Sequence, residues 1–537
     1  MSSYNTASAE ADAPSPQIER AFGETCKILF GAPTRLRLQE LESYLKRYQY
    51  KLPLHAKSAL SGKEVVLSSE QYAPGSKFLS LDEVDFERKY PPLDINQLKD
   101  LDSLVEGLGE RFHYAGNKIF GHSEHIGASD NCLDSSHVFD SHDIRSSKFV
   151  AYSAYIRDGS EYAFGCSHFL DGHYTLKFIG GDNIARCFES YYLTHSSDMY
   201  FSAFCHGCEN VLFSFNLRSK HHCIGNLPLE KDKYFGLKKK LLAESLEYLE
   251  NHKSFYSIFD FPMPSPKELE SIRMPRFEQA GGNLKPVENA FKTATKVILG
   301  KELGPLDAYA QFLSKRVDPV KKASSAFGNE FYYSDYFLGR NFPPERLITT
   351  QEAAVLSDQH VQAEDDITLA ALISKLGAIA FFAVDFHEGS NHNNIQCPLT
   401  YHSSDGYKVC DNTFSKNVAY DTHPSHCEAV FGSSVLVEKC RFCLRCHNCT
   451  NLTACMDCDS CTSCSDCLFC HNCENLENCM FCFNAKGLRY AIGNVEVGKE
   501  KYLQVKKLVQ EDIVRRLERD KRLDIDIYNI GASHGHQ

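Results

Sequence analysis

The chain has 537 residues, 43% hydrophobic and 24% charged, with a net charge of −12 and a pI near 6.0. That length accommodates several domains, and the composition is that of a globular protein. The acidic balance excludes a general nucleic-acid binder, and the absence of Trp fits neither a membrane belt nor a Trp-anchored interface.

The first 20 residues, MSSYNTASAEADAPSPQIER, lack a basic start and an apolar core, so they predict a disordered tail, not a secretion signal. Twenty-three cysteines without an export signal point to a reducing compartment with free or metal-bound thiols. A short helix is predicted over Leu36–Tyr48. A long Ser/Asn/Cys/His-rich stretch then runs from Phe120 to Cys223 and holds Cys132, Cys166, Cys187, Cys205, Cys208 and Cys223. Within it, "FIGGDN" at Gly180–Gly181 is no phosphate loop, because neither a helix nor Lys-Ser/Thr follows. Lys231–Leu249 reads as an amphipathic helix whose "LKKK" (Leu237–Lys240) is a solvated face, with docking to an acidic partner as the alternative. "FPMPSPKELESIRMPRFEQAGGNLKP" (Phe261–Pro286), with five prolines and a Gly-Gly pair, has the composition of a linker.

Beyond the linker the same plan recurs. "AFGETCKILFG" from Ala21 matches "AFKTATKVILG" from Ala290, and "FCHGCEN" at Phe204 matches "FCHNCEN" at Phe469. "FNLRSKHHCIGN" at Phe215 matches "FNAKGLRYAIGN" at Phe483, and "KDKYFGLKKKLL" at Lys231 matches "KEKYLQVKKLVQ" at Lys499. The order is kept at offsets of 265–269 residues, so the chain reads as an internal duplication. Further helices are expected at Leu306–Val317 and Lys499–Leu517. The apolar Leu369–Val384 is 16 residues long and carries Lys375, too short and polar to span a membrane.

The second copy contains thirteen cysteines in 43 residues: Cys440, Cys443, Cys446, Cys449, Cys455, Cys458, Cys461, Cys464, Cys467, Cys470, Cys473, Cys479 and Cys482. Written in rows of eighteen, every third position is Cys, Leu or Ala, and the positions between are mostly Asn, Asp, Ser, Arg, Thr and Glu. A step of three fits neither a helix nor a flat strand. It fits a tightly coiled parallel β-solenoid in which small side chains fill a narrow bore, and free cysteine behaves as a small buried hydrophobe. Two alternatives remain: the thirteen cysteines as thiolate ligands of Zn or Cu, and disulfides between stacked coils. The first copy places Ser214 where Cys482 stands and Cys223 where Ala491 stands, an exchange that a packed core tolerates. His206, His447 and His471, beside these cysteines, fall in outward slots and read as solvated or capping residues.

The segments "CENVLFSFNLRSKHHCIGNLPLEKDKYFGLKKKL" and "CENLENCMFCFNAKGLRYAIGNVEVGKEKYLQVKKL" resemble the repeat end of an uncharacterised cysteine-rich family of candidate-phyla bacteria and large phages. The resemblance covers roughly a third of the chain and rests on C-x-x-C runs, asparagine corners and a Tyr-containing, lysine-rich helix start. Those features fall on Cys205, Cys208, Asn216, Asn226 and Tyr234, and again on Cys470, Cys473, Asn484, Asn494 and Tyr502. Many members carry an N-terminal zinc ribbon, which this chain lacks, since Cys26 stands alone before Cys132. "NCEN" is also similar to the β-helix of tubulin-cofactor-C-like domains. The resemblance implies a fold and no activity.

The expected architecture is α+β: two tandem duplicated domains, each a parallel β-helix with flanking helices. The expected boundaries are a tail over 1–20, copies over 21–255 and 290–528, a linker over 256–289 and a tail over 529–537. No catalytic set, cofactor site or nucleic-acid surface stands out. The expected role is a non-catalytic structural or docking component of an assembly such as a virion or particle shell. It would be cytoplasmic or inside the particle, with other proteins or further copies of itself as partners and no membrane. A thiolate metal or redox protein and a carbohydrate-active solenoid are the alternatives.

Overall fold

The structure is a computed structural model that describes residues 13–532 except 51–52, 93–98, 158, 171–173, 182–185, 194, 278–280, 338, 435 and 448–451. Cys449 therefore lies outside the described residues. The fold is α+β, with many short parallel strands and peripheral helices.

The strands explain the step of three. In the first half Glu124, Ser136 and Lys148 pair in succession, as do Asp130 with His142 and Ser197 with Glu209. In the second half Arg441 pairs with Thr453, then Ser465, then Glu477. The chain thus returns to the same place every twelve residues, with single-residue insertions at Lys148↔Glu161 and Glu428↔Arg441. Each turn has four sides of three residues, not the six implied by rows of eighteen. Through the cysteine run the corner before each inward residue has positive φ: Asp457, Ser460, Ser463, Asp466, Phe469, Asn472 and Asn475 all lie between 49° and 56°. Asn and Asp tolerate that region best, which accounts for their abundance between the cysteines.

Six of the helices frame the two stacks. α1 (Pro16–Phe30) packs along the first stack, and α4 (Lys285–Leu299) along the second. Each begins with proline in its first turn and ends on a left-handed glycine, Gly31 or Gly300. α3 (Lys231–His252) and α6 (Lys499–Asp520), 22 residues each, lie against the last rungs. They cover open sheet edges that would otherwise pair with other chains. The remaining two, α2 (Leu101–Leu108) and α5 (Leu369–Lys375), belong to arms that cross over. Leu104, Leu108 and Phe112 share a core with Phe483, Ile492 and α6 of the second half. Reciprocally, Val361, Leu372 and Phe382 share a core with Phe213, Phe215 and Ile224 of the first.

The contacts repeat at the sequence offset of 268. Asn216 Nδ2 donates to Phe381 O at 2.9 Å, and Asn484 Nδ2 donates to His113 O at 2.8 Å. Gly225, at φ +57°, packs on Val361; Gly493, at φ +56°, packs on Leu108. No side chain larger than hydrogen fits at either glycine without displacing the opposite arm.

Some predicted boundaries shift. Pro16–Arg20 is helix and not tail; Lys285–Asn289 is helix and not linker. The segment after α6 is not a tail from residue 529, because Tyr528 and Ile530 are buried in the core of the second half. The helices expected over Leu36–Tyr48 and Leu306–Val317 are broken into short helical pieces (Leu38–Leu41, Glu42–Lys46, Leu306–Tyr309, Ala310–Leu313).

Candidate functional site

The twelve described cysteines of the run point into the second stack and are at most 3% exposed. One rung apart, they form ladders: Cys443–Cys455–Cys467–Cys479 on one side and Cys446–Cys458–Cys470–Cys482 on the next. A third side carries Cys461, Cys473 and Ala485, and the fourth alternates Cys440, Leu452, Cys464 and Leu476. Apart from Cys440, each sulfur sits over a backbone carbonyl two residues back, as Cys461 over Asp459 O (3.3 Å) and Cys473 over His471 O (3.2 Å). Burial pushes the Cys458, Cys461 and Cys470 thiols well above their ordinary range. Hydrogen bonds from neighbouring thiols, Cys461 onto Cys464 and Cys467 onto Cys479, pull those two acceptors down.

The first stack fills the same positions differently. Ser190, Ser202 and Ser214 stand where Cys458, Cys470 and Cys482 stand, all fully buried. Ser202 Oγ donates to Tyr200 O at 2.9 Å and accepts the Ser214 N–H at 3.1 Å. Serine satisfies two backbone groups there; cysteine supplies bulk.

His447 and His471 do point away from the bore, but they are not solvated. Both are fully buried beneath an outer layer. His447 Nδ1 lies 2.6 Å from Ser434 Oγ. His471 Nδ1 lies 3.0 Å from Asp459, while its Nε2 accepts the Ala115 N–H from the crossing arm at 3.1 Å. Tyr528 OH donates to the same Asp459. His206, by contrast, is half-exposed.

Two of the clefts between a stack and the other half correspond to each other. The first, a cavity of about 70 Å³, is lined by Cys205, His206 and Arg218 from the first stack and by Tyr336, Asp385 and Phe386 from the second half. The second, about 340 Å³, is lined by Cys473, Glu474 and Lys486 facing Phe120, Asp143 and Arg157. Cys205, His206 and Arg218 are the residues 268 positions before Cys473, Glu474 and Lys486. The clefts are therefore counterparts with different chemistry: a Glu474–Lys486 pair at 2.9 Å occupies one, and His206 and Arg218 the other. Near the first cleft His195, His206 and Glu388 bring two imidazoles and a carboxylate together, their ligand atoms all within 4.8 Å of one another. Among the described residues this is the one group of three or more His, Cys, Asp or Glu side chains so placed. His195 and Glu388 did not stand out in sequence, because they are 193 positions apart and neither lies in a motif.

A buried ion pair also recurs at the offset of 268. Lys177 Nζ lies 3.6 Å from Glu189, which also takes hydrogen bonds from Tyr44 OH (2.7 Å) and Tyr191 OH (3.1 Å). Arg445 Nη1 lies 3.4 Å from Asp457. Asp526, pulled down to about 2 against burial by Arg445, Arg316 and Lys315, completes the second cluster. Burial pushes Asp457 up to about 7 and Lys177 down to about 8. These groups hold the stacks against the helical layer and line neither of the two clefts.

Among the described residues no helix is long and apolar enough to cross a membrane. No protein-family model, curated protein or solved structure matches the chain.

Proposed function

We propose that this chain is a non-catalytic structural or docking protein. In this reading the two stacks are parallel β-solenoids, products of one internal duplication, and the exchanged arms lock them into a rigid component of a larger assembly such as a virion or particle shell. The observation that carries the reading is the reciprocal pair Asn216→Phe381 O and Asn484→His113 O. A hinge between domains works by small interfaces, whereas here each half completes the core of the other. The inward cysteines support the same view: they occupy positions that serine, methionine, valine and leucine fill in the first stack, which is how bore-filling residues exchange. The partners are other proteins of the assembly or further copies of the chain, in the cytoplasm or inside the particle.

The test is native mass measurement and negative-stain imaging of the protein recovered from its source. The reading expects it in a particle of fixed stoichiometry. A free chain that turns over oligosaccharides would replace it with a carbohydrate-active solenoid, and several Zn or Cu ions held on sulfur would replace it with a thiolate store.

A further inference from the structure

We infer that His195, His206 and Glu388 form a binding site for one borderline divalent transition-metal ion, of the Zn2+ class, that ties the first stack to the first rung of the second. The site lies outside the cysteine run and uses no sulfur.

The local geometry brings the donors together. His195 and His206 lie on the same side of consecutive turns, eleven residues apart and not twelve, so they are offset diagonally. His195 is a corner residue at φ +49°, while His206 pairs with Arg218 on the next rung. Several ring pairs twelve residues apart on these stacks lie flat on one another, as His125 and His137 (4.6 Å, 4°) and His402 and Phe414 (5.3 Å, 2°) do, while Phe201 and Phe213 are tilted by 49° and His471 and Phe483 by 39°. The His195 and His206 rings, with centroids 5.4 Å apart, are inclined at 73°. Rings inclined in this way can aim their nitrogens at one point, which flat-stacked rings cannot.

Glu388 supplies the third donor from the strand Phe386–Glu388, whose backbone is fixed by pairing with Leu399–Tyr401. Its carbonyl accepts the His402 N–H at 3.2 Å and the Asn391 side chain at 2.8 Å. The backbone is therefore held and only the carboxylate needs to move. Three donors on an ion at roughly 2.1 Å stand about 3.4 Å apart in tetrahedral geometry. The present spread of up to 4.8 Å therefore asks each pair of donor atoms to approach by no more than about 1.4 Å. Two imidazoles and one carboxylate suit Zn2+, Co2+ or Ni2+ better than the hard ions Mg2+ or Ca2+, which prefer all-oxygen shells. Three protein ligands leave a fourth position for water.

The molecule contains its own comparison. The positions 268 residues from the three ligands are Ser463, Glu474 and Phe120, and Glu474 there pairs with Lys486. The trio, beside the first cleft, thus has no counterpart at the matching positions beside the second.

The test uses the full-length reduced chain, stripped of metal by chelation, with Co2+ alone and then Zn2+ as probes. The inference expects one Co2+ per chain, visible d–d bands without thiolate charge-transfer bands, and displacement by Zn2+. H195A and E388Q each weaken binding by at least about 100-fold, since loss of a ligand exceeds the 10- to 100-fold typical of an outer-shell partner. Melting curves recorded without metal should overlay for parent and E388Q, and Zn2+ should raise the melting temperature of the parent alone. Undiminished binding in both variants, charge-transfer bands from sulfur, or no saturable uptake at millimolar Co2+ would each overturn the site. If H195A fails to fold, E388Q decides.

Discussion

Cys470 offers a direct reading of what the sulfurs do. It is fully buried, one rung from Cys458 and one from Cys482, and its sulfur lies 3.5 Å from Leu468 O. At the matching place in the first stack Ser202 donates to Tyr200 O. C470S should therefore keep a hydrogen bond to Leu468 O, at a cost within about 1 kcal/mol. C470A removes a sulfur roughly the size of a methylene and leaves a small void, so about 1–2 kcal/mol is expected. C470L forces extra carbons between two thiols that already touch the wall, and overpacking of this kind costs about 1–3 kcal/mol or more. Urea denaturation under reducing conditions should rank the three as serine, alanine, leucine. A ligand role predicts otherwise: all three changes would be equally damaging, and a chelator would reproduce the damage in the parent. Equal loss in C470S and C470L would refute the packing argument.

Three further outcomes are expected. G493A should cost about 2–4 kcal/mol, from left-handed backbone plus a Cβ placed 2.3 Å from Leu108, whereas G487A, at φ +64° with open space around it, should cost only about 1; equal midpoints in urea would mean that the arm is not seated on Gly493. E189Q should cost about 3–5 kcal/mol, because it leaves Lys177 buried without its counter-charge; a loss under 1 would show that the pair is solvated. Burial holds the His447 pKa down at about 3, so between pH 6.5 and 3 the unfolded chain binds the additional proton. That contribution to stability is complete above pH 6.5 and is lost as pH falls, reaching about 2 kcal/mol by pH 5. Asp457, pushed up to about 7, acts in the opposite sense over the same range, so the histidine effect is the difference between parent and H447Q: unfolding at pH 7.5 and 5.0 should show a drop smaller in H447Q by about 2 kcal/mol, and identical drops would contradict it.

The step of three, the inward cysteines, the 268-residue offset and both long closing helices were legible because each depends on local pattern. The length of one turn was not, since three divides twelve and eighteen alike and only backbone pairing distinguishes them. The first half did carry the signal: Ser123, Ser135 and Ser147 recur at twelve, and Ser123 and Ser135 each accept the N–H of the next serine at 3.1 Å. The burial of His447 and His471 was not legible either, because what covers them comes from Tyr528 and from Ala115, 356 positions before His471 in the chain. The crossing of the arms escaped for the same reason. Amphipathic pattern says that α2 and α5 bury a face, and says nothing about which half receives it. The trio of His195, His206 and Glu388 depends on that crossing.

The most direct measurement is a count of reactive thiols in the reduced chain, before and after denaturation, with a colorimetric indicator for released metal. If the cysteines are packed wall residues, the native protein should react at almost none of its 23 cysteines. All 23 should then react in denaturant, with no metal released from sulfur. Rapid labelling of the Cys440–Cys482 run in the native state, fewer than 23 thiols after unfolding, or metal released in step with their exposure would contradict the account.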